Sequence, residues 1–465
     1  MTGPDNCQSK AATCYDALPP SLPMNLPGWS EPWVGGARLL PSRRDVPCSN
    51  VLVHRDAPPA RREPRPTRAS QVQGLKSRNL GPWILSPCCA KGEGSSRALR
   101  LFRRLSSLCL VLLTLAFGQR SFALEWVQVG KDAKGFTLAT SGKPFVPWGL
   151  NYDHDEPGHL LEDYWLTEWP KVEEDFREMK ELGANVVRIH LQFGKFMDAA
   201  DKPNETSLLQ LAKLLTLAER TGLYLDLTGL GCYHKADVPA WYDALDERAR
   251  WAAQANFWAA IAKQCKDSPA VFCYDLMNEP VVAGGKRKPG EWLGGAFAGK
   301  HFVQFITLDA AGRAPHTVAS EWIRTLTKAI RQHDARHLVT VGLVDWSLDR
   351  PGLRSGFVPD KIAADLDFLC VHIYPKKGEV PKAIETLRGF AVGKPVVIEE
   401  TFPLQAGFPE FGQFITESRG IATGWIGFYW GKTPAELRKS KTIGDAILLG
   451  WLEFFQREGE RMRRP

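Results

Sequence analysis

Short apolar runs rich in β-branched and aromatic residues alternate with longer amphipathic stretches from Leu124 onward. This alternation is typical of repeated strand–helix units that form one parallel sheet. We predict eight strands, at residues 145–150, 185–190, 223–228, 271–277, 338–343, 368–373, 395–400 and 425–430. Consecutive units of this kind predict an α/β protein whose strands close into a (β/α)8 TIM barrel.

The segments around these strands also carry interpretable patterns. Residues 172–183 begin with acidic residues and end with Lys and Gly, as the helix dipole and C-terminal capping favour. Residues 127–145 alternate like a short N-terminal β-hairpin, which we expect to cover the bottom of the barrel. Residues 281–317 form a Gly-rich insertion after the fourth strand. In a barrel that insertion lies over the catalytic face, so we expect it to shape the substrate cleft.

The N-terminal part of the chain is different in character. Residues 1–96 are rich in Pro, Arg, Ser and Gly and show no apolar period, which predicts a disordered leader. Residues 97–123 place arginines before an apolar run and end in Ser-Phe-Ala, the order typical of a secretory signal peptide cleaved after Ala123. The apolar run is shorter than the roughly 20 residues of a membrane-spanning helix. We therefore expect a secreted or periplasmic protein whose catalytic domain spans residues 124–465.

A signal peptide normally begins where translation begins, whereas this segment begins near position 97. No Met occurs between Met24 and Met179. We therefore expect translation to start near Leu99, from a codon other than the one for Met. On this hypothesis most of the leader is absent from the translated protein.

The basic excess of the chain belongs to the leader and the signal segment. Residues 1–123 hold 17 Lys and Arg against 7 Asp and Glu, so the overall net charge of +7 becomes −3 for the remaining residues, with 42 basic against 45 acidic. An acidic barrel gives no basis for nucleic-acid binding. The four cysteines beyond the signal segment lack metal-ligand spacing; they are Cys232, Cys265, Cys273 and Cys370. We predict no metal, no cofactor, and a monomer without stable membrane association after processing.

Polar residues follow the predicted strands at the ends where barrel enzymes carry their reactive groups. These residues are Asn151, Tyr152, Arg188, His190, Asn278, Glu279, His372, Tyr374, Glu399, Glu400 and Trp430. Side chains that point into the barrel occupy alternate positions along a strand. On the seventh strand this rule predicts that Glu400 faces inward with Val396 and Ile398. Glu399 should then face the helices or a neighbouring polar group.

Two carboxylic acids from the fourth and seventh strands, Glu279 and Glu400, would meet across the barrel mouth. Glycoside hydrolysis needs such a pair, because one group protonates the leaving oxygen while the other attacks the anomeric carbon or activates water. Asn278 can donate a hydrogen bond to a sugar 2-hydroxyl. Pro280 cannot donate to a strand ladder, so it ends the strand. The expected partner is a polysaccharide or oligosaccharide.

The motifs "NVVRI", "YDLMNEP", "VHIYP", "GKPVVIEE" and "GFYWG" lie in this order within residues 126–451. In sequence and order they resemble the family 5 glycoside hydrolases, of the clan of retaining (β/α)8 enzymes. The resemblance implies that Glu279 is the acid/base and Glu400 the nucleophile. It also implies that Arg188 forms an ion pair with the nucleophile and that the Tyr374 hydroxyl orients it. His372 would contact the sugar or the acid, and Trp430 would form the floor of the subsite at the cleaved bond. The family's spacing from Pro395 favours Glu400, with Glu399 as the alternative nucleophile.

Two departures from the family pattern leave the subfamily and the substrate open. The third strand has Thr228 or Gly229 where the family usually has His, and His190 or His234 could replace it. Thr401 begins a Thr-Phe-Pro segment where Phe-Gly is common after the nucleophile. We expect a retaining endo-β-1,4-mannanase or endo-β-1,4-glucanase. The alternatives are a catalytically inactive barrel that binds carbohydrate and a membrane-tethered surface protein.

Overall fold

The computed structural model describes residues 124–152, 159–297, 299–350, 353–428 and 430–463. The predicted leader and signal peptide lie outside these residues. Eight parallel strands form the centre of the fold: β1 Trp148–Tyr152, β2 Val186–Gln192, β3 Tyr224–Gly231, β4 Val271–Asn278, β5 Leu338–Val344, β6 Leu369–His372, β7 Val396–Thr401 and β8 Gly424–Gly427. They close into a barrel in the order β5-β6-β7-β8-β1-β2-β3-β4, which confirms the predicted fold class.

Helices follow the strands and surround the barrel. They are α1 Trp169–Glu181, α2 Glu205–Thr221, α3 Glu247–Cys265, α4 Pro315–Arg331, α5 Pro359–Ile362, α6 Val380–Arg388, α7 Phe408–Ser418 and α8 Ile443–Arg463. Shorter helical segments cover Leu161–Tyr164, Phe193–Phe196, Ala240–Asp243 and Pro434–Lys439, with 3-10 turns at Lys235–Asp237 and Ala363–Asp365. Within the described parts of the chain, no helix has both the length and the apolar character needed to cross a bilayer.

The first and the last predicted strands have different boundaries in the structure. The predicted first strand, residues 145–150, divides at Pro147, because Pro has no N–H to donate to a neighbouring strand. Pro144–Phe145 belongs instead to a separate antiparallel sheet, and β1 begins at Trp148. The predicted last strand, residues 425–430, ends early at Gly427.

The predicted N-terminal hairpin is a three-stranded antiparallel sheet of Val127–Val129, Phe136–Leu138 and Pro144–Phe145. The ring of Phe136 packs edge-on against Phe272, with 5.2 Å between the ring centroids, and against Phe368 at 5.1 Å. Both partners lie at the N-terminal ends of barrel strands. The sheet therefore covers the bottom of the barrel, as predicted.

The alternation predicted for β7 is wrong. Val397 belongs to the cluster at the barrel bottom, whereas Val396 and Ile398 pack in the larger core with the helices. Glu399 therefore continues the inward-facing series. The pairing of β7 with β8 is irregular between Ile398 and Thr401, and this irregularity allows Glu400, the next residue, to reach the barrel interior as well.

The insertion after β4 contains a small sheet of its own. Pro280–Val282 pairs in parallel with Gln304–Thr307, so Pro280 begins a new strand rather than leading directly into a loop. The returning segment is tied to the top of β3. The Nε2 amide of Gln304 donates to the Leu230 carbonyl at 3.0 Å, and the His301 N–H donates to the Tyr233 carbonyl at 2.8 Å. The insertion thus lies over the carboxyl ends of β3 and β4.

Candidate active site

Glu279 directly follows β4 and has an unusual backbone conformation. Its φ of 46° lies in the left-handed region, which costs a non-glycine residue about 1 kcal/mol. Tertiary contacts hold it there: its N–H donates to the Gly342 carbonyl at 3.0 Å, and its carbonyl accepts from the Gln304 N–H at 3.3 Å. The side chain is 18% exposed. The carboxylate is therefore accessible at the mouth of the barrel.

Glu400 reaches the same place from β7. One carboxylate oxygen accepts a hydrogen bond from Arg188 Nη1, and the other accepts from the Tyr374 hydroxyl at 2.7 Å. Carboxylate oxygens of Glu279 and Glu400 and a ring nitrogen of His372 all lie within 4.8 Å of one another. Carboxyl groups about 5 Å apart are typical of retaining glycosidases, whereas inverting enzymes need roughly 6.5–9.5 Å.

Arg188 projects from β2 into the centre of the barrel and is fully buried. Besides Glu400, its N–H groups donate to four side chains of β1, β3 and β4: Asn151 at 2.9 Å, Thr228 at 2.7 Å, Asp275 at 2.9 Å and Asn278 at 3.0 Å. A guanidinium group is suited to this position because its planar fork offers five donors. Arg188 thereby fixes the orientation of Glu400 relative to four other strands.

His372, the last residue of β6, lies between three carboxylates. Its Nδ1 is 3.0 Å from Glu279 Oε1 and 3.5 Å from Glu400 Oε2, and its Nε2 is 3.3 Å from Glu399 Oε2. Burial alone would lower the pKa of His372, but the charge of Glu400 and the hydrogen bonds to Glu279 and Glu399 raise it to about 10. The ring is therefore an imidazolium near neutral pH and donates from both nitrogens.

Glu399 is fully buried against polar groups of the barrel interior. This fits the second of the two environments predicted for it, a neighbouring polar group, and excludes the first. Its Oε2 lies 3.5 Å from Arg188 Nη2 in addition to its contact with His372. Burial would raise the pKa of this carboxyl, but Arg188 and His372 outweigh burial and lower it to about 2.

Two buried acids of the site were not identified from the sequence. Asp275 accepts hydrogen bonds from Thr228 at 2.7 Å and from the Gly342 N–H at 2.7 Å. Asp226 lies on β3, two residues before Thr228, the residue that pairs with Asp275. Burial and the nearby Glu399 raise the pKa of Asp275 to about 6 and that of Asp226 well above its ordinary value. An acidic residue within an otherwise mostly apolar strand is the sequence signal that could have identified each of them.

Three further predicted residues lie at the β2–β4 side of the mouth. His190 is buried, and its Nδ1 hydrogen-bonds the Tyr233 hydroxyl. The Asn278 amide donates to the Phe302 carbonyl of the insertion at 3.0 Å. His234 stands at the start of the 3-10 turn after β3. Of the two histidines considered as replacements on β3, His190 is the one within the barrel.

The aromatic residues Phe428 and Trp430 follow β8 and have different surroundings. Trp430 is 1% exposed, and its indole interacts with the Asp175 carboxyl of α1. Its backbone N–H donates to the Asn151 carbonyl at 2.7 Å. Phe428 is partly exposed, and its ring centroid lies 6.5 Å from that of Tyr374. The subsite role of Trp430 stays a prediction.

Among the residues that the structure describes, one cluster has ligand atoms close enough to hold a metal ion, and it consists of Glu279, His372 and Glu400. The same atoms already serve as hydrogen-bonding groups. His372 Nδ1 donates to Glu279, while Arg188 and Tyr374 occupy both oxygens of Glu400. The arrangement suits proton transfer and nucleophilic attack by carboxylates.

A closed (β/α)8 barrel with two carboxylates across its mouth defines a class of sugar-cleaving hydrolases. Residues 139–398 match the family model described as Cellulase (glycosyl hydrolase family 5), and this match covers more than half of the chain. The chain belongs to glycosyl hydrolase family 5 and is an O-glycosyl hydrolase.

Curated relatives share about a quarter of their aligned residues with this chain. The probable mannan endo-1,4-beta-mannosidase A of Aspergillus flavus is 24% identical over 313 residues, which cover 56% of this chain and 72% of the relative. The mannan endo-1,4-beta-mannosidase A of Aspergillus aculeatus is 24% identical over 325 residues, 58% of this chain and 78% of the relative.

Solved structures support the fold. The endo-1,4-beta-mannanase of Rhizomucor miehei has a TM-score of 0.50 at 18% identity, over 72% of this chain and 100% of that one. The exo-beta-1,4-mannosidase Op5Man5 of Opitutaceae bacterium strain TAV5 has a TM-score of 0.52 at 18% identity. That alignment covers 73% of this chain and 63% of Op5Man5, less than two thirds of the longer protein.

Proposed function

We propose that this protein is a secreted retaining β-mannan hydrolase in which Glu279 is the acid/base and Glu400 the nucleophile. The main supporting observation is the approach of their carboxylate oxygens to within 4.8 Å of one another. The names of the curated relatives support mannan as the substrate class, since each is described as a mannan endo-1,4-beta-mannosidase.

In the first step a Glu400 oxygen attacks the anomeric carbon while Glu279 gives its proton to the leaving glycosidic oxygen. The products are a glycosyl ester on Glu400 and the free leaving group. In the second step Glu279 takes a proton from water, and the resulting hydroxide oxygen displaces Glu400 from the sugar. Two inversions restore the original anomeric configuration, so the product is a β-sugar.

The surrounding residues support both steps. Arg188 and Tyr374 each hold one oxygen of Glu400, which aligns the attacking group before the substrate reacts. The imidazolium of His372 donates to Glu279 and stabilises its carboxylate once the proton has left. Glu399 is less suited to nucleophilic attack, because its side chain has no solvent exposure while that of Glu400 is 9% exposed.

Glu400→Gln and Glu279→Gln should each reduce kcat on β-1,4-mannan by at least about 10³-fold, since each removes a reacting group. The exposed Glu385→Gln on α6 is the matched control and should keep the wild-type rate. Proton NMR of the first product should show the β-anomer before mutarotation. A rate near that of wild type in either variant, or an α-anomer as first product, would refute the assignment.

Glu279→Ala provides a test that separates the two roles. An aryl β-mannoside with an acidic phenol needs no proton from the enzyme, so this variant should lose much less activity on it than on mannan. Added azide should attack the glycosyl ester and yield β-mannosyl azide. A glycan panel that includes β-glucans decides the sugar, and N-terminal sequencing of exported protein decides the proposed secretion.

A further inference from the structure

Glu399 is a buried charged group that the reaction proposed above does not use. Its carboxylate lies behind His372, on the side of the ring opposite to Glu279. The Nε2 of His372 is 3.3 Å from Glu399 Oε2, while the Nδ1 is 3.0 Å from Glu279 Oε1. A chain of three groups therefore leads from the barrel interior to the predicted acid/base.

The backbone of β5 leaves room for this contact. Gly342 faces the place where Glu399, His372 and Arg188 meet. A Cβ atom at this position would lie 3.0 Å from Glu399 Oε2, 3.0 Å from His372 Nε2 and 3.2 Å from Arg188 Nη2. Contacts this short would push the three polar groups apart. The junction thus depends on a residue without a side chain.

We propose that Glu399 is a positioning residue: by accepting the Nε2 hydrogen of His372, it directs the Nδ1 hydrogen of the imidazolium at Glu279. This inference rests on the proposed role of Glu279. Only the tautomer and charge of His372 depend on Glu399; the bond-making steps remain those of Glu279 and Glu400.

The electrostatic surroundings of His372 favour this role. The charged groups that act on it are Arg188 of β2, Glu279 after β4, Asp345 after β5, and Glu399 and Glu400 of β7. Arg188 opposes protonation of the ring, and the carboxylates favour it. Of these carboxylates, only Glu399 contacts Nε2.

The hydrogen on Nδ1 is useful to the acid/base in both steps. When Glu279 gives its own proton to the leaving group, the hydrogen on Nδ1 stabilises the carboxylate that remains. The same hydrogen bond holds that carboxylate in place until it takes a proton from water. Loss of the imidazolium charge removes this stabilisation, so the alkaline limb of the pH–rate profile depends on the protonation of His372.

Glu399→Gln keeps a hydrogen-bond acceptor near Nε2 but removes the negative charge. The pKa of His372, about 10 in the wild type, should fall by about one unit or more. Nitrogen NMR of ¹⁵N-histidine-labelled protein measures this, with the His372 signals assigned by their loss in His372→Gln. The alkaline limb of kcat/KM should move to lower pH by a similar amount.

Two further variants separate positioning from a general structural role. Glu399→Asp retains the charge and should keep the alkaline limb near its wild-type pH. Glu162→Gln is the matched control, because Glu162 is also a buried acid but hydrogen-bonds Gln192 and not His372 or Glu399. Glu162→Gln should leave the His372 pKa unchanged. Thermal unfolding of each variant shows whether it is folded under the assay conditions.

If Glu399→Gln does not fold, Gly342→Ala tests the same contact while keeping every charge. It should displace Nε2 from Glu399 and lower the His372 pKa. An unchanged His372 titration in the folded variants would overturn the proposal, as would a uniform loss of rate without movement of the alkaline limb. The NMR titration does not need turnover, so a protein that failed to cleave mannan could still support or refute the role of Glu399.

Discussion

At the scale of the residue, the site is a balance of buried charges around one guanidinium group. Arg188 has no solvent exposure and lies within 3.5 Å of carboxylate oxygens of Asp275, Glu399 and Glu400. Isolated charges are costly to bury, so such groups are retained where they are paired and hydrogen-bonded. The second cation, His372, completes the pairing. The pKa of Glu399, about 2, and that of Asp275, about 6, therefore differ because the groups around these two carboxyls differ.

A buried acid outside this cluster gives a prediction about pH. Glu162 accepts hydrogen bonds from the backbone and side chain of Gln192, at 2.7 Å and 3.3 Å. Burial nevertheless raises its pKa from 4.5 to about 7. The folded protein therefore holds a proton between these values that the unfolded chain releases, so this group reduces stability as pH rises through that window.

Glu162→Gln should remove this loss, since the amide stays neutral and Gln192 can turn its own amide to match. We expect the variant to be more stable than the wild type at pH 8, on the order of 1–3 kcal/mol, with the advantage disappearing near pH 4. Urea unfolding at both pH values measures it. Glu385→Gln, an exposed change, should show no such pH dependence. A variant that is less stable at pH 8 would contradict the assignment.

At the scale of the element, strands and helices approach closely where a strand residue lacks a side chain. Gly427 on β8 faces Trp451 of α8, which is 1% exposed. A Cβ at Gly427 would lie 2.2 Å from the Trp451 ring. The indole therefore occupies the space that a side chain would need. This contact fixes the distance between the last strand and the last helix of the barrel.

Gly427→Ala should destabilise the protein by about 1–3 kcal/mol, because the helix or the ring must move to relieve the overlap. Gly420→Ala is the matched control, since no atom lies within 4 Å of a Cβ at that position. Thermal or urea unfolding distinguishes the two. Equal stability of both variants would mean that α8 adjusts freely to the strand.

At the scale of the whole molecule, the two ends of the barrel have different tasks. The N-terminal sheet and the lower barrel residues form one apolar cluster, which includes Phe136, Phe145, Phe272 and Phe368. The charged cluster and the insertion occupy the opposite end. This division is typical of barrel enzymes, in which the carboxyl ends of the strands carry the chemistry and the other end contributes stability.

Phe136→Ala should therefore lower stability by about 3 kcal/mol without changing kcat at temperatures where the variant is folded. The ring is 3% exposed and contacts two other phenylalanines, so its loss leaves a cavity. Val146→Ala, a change of a side chain that is 38% exposed, is the control and should have little effect. A selective loss of kcat in folded Phe136→Ala would contradict the division between the two ends.

The local pattern was sufficient for the architecture because strand and helix periods are properties of neighbouring residues. The predicted boundaries of the first and last strands were wrong. Pro147 lacks an N–H and divides the predicted first strand, and β8 ends at Gly427. On β7 the alternation rule was applied to the wrong set of positions, because Val397 and Glu399 face the barrel interior while Val396 and Ile398 pack with the helices. The rule therefore predicted that Glu399 lies outside the barrel interior, which is wrong. It predicted correctly that Glu400 faces inward, but the reason is the irregular pairing of β7 with β8 and not the alternation.

The amino-acid order by itself determined the eight strand–helix units, the two acids at the strand ends, and the membership of Arg188, His372 and Tyr374 in their site. These depend on local spacing and on the geometry common to closed barrels. Tertiary structure decided that Glu399 supports His372 from behind and that the insertion contacts Asn278 through Phe302. Such contacts join residues that are distant along the chain, so no local period encodes them.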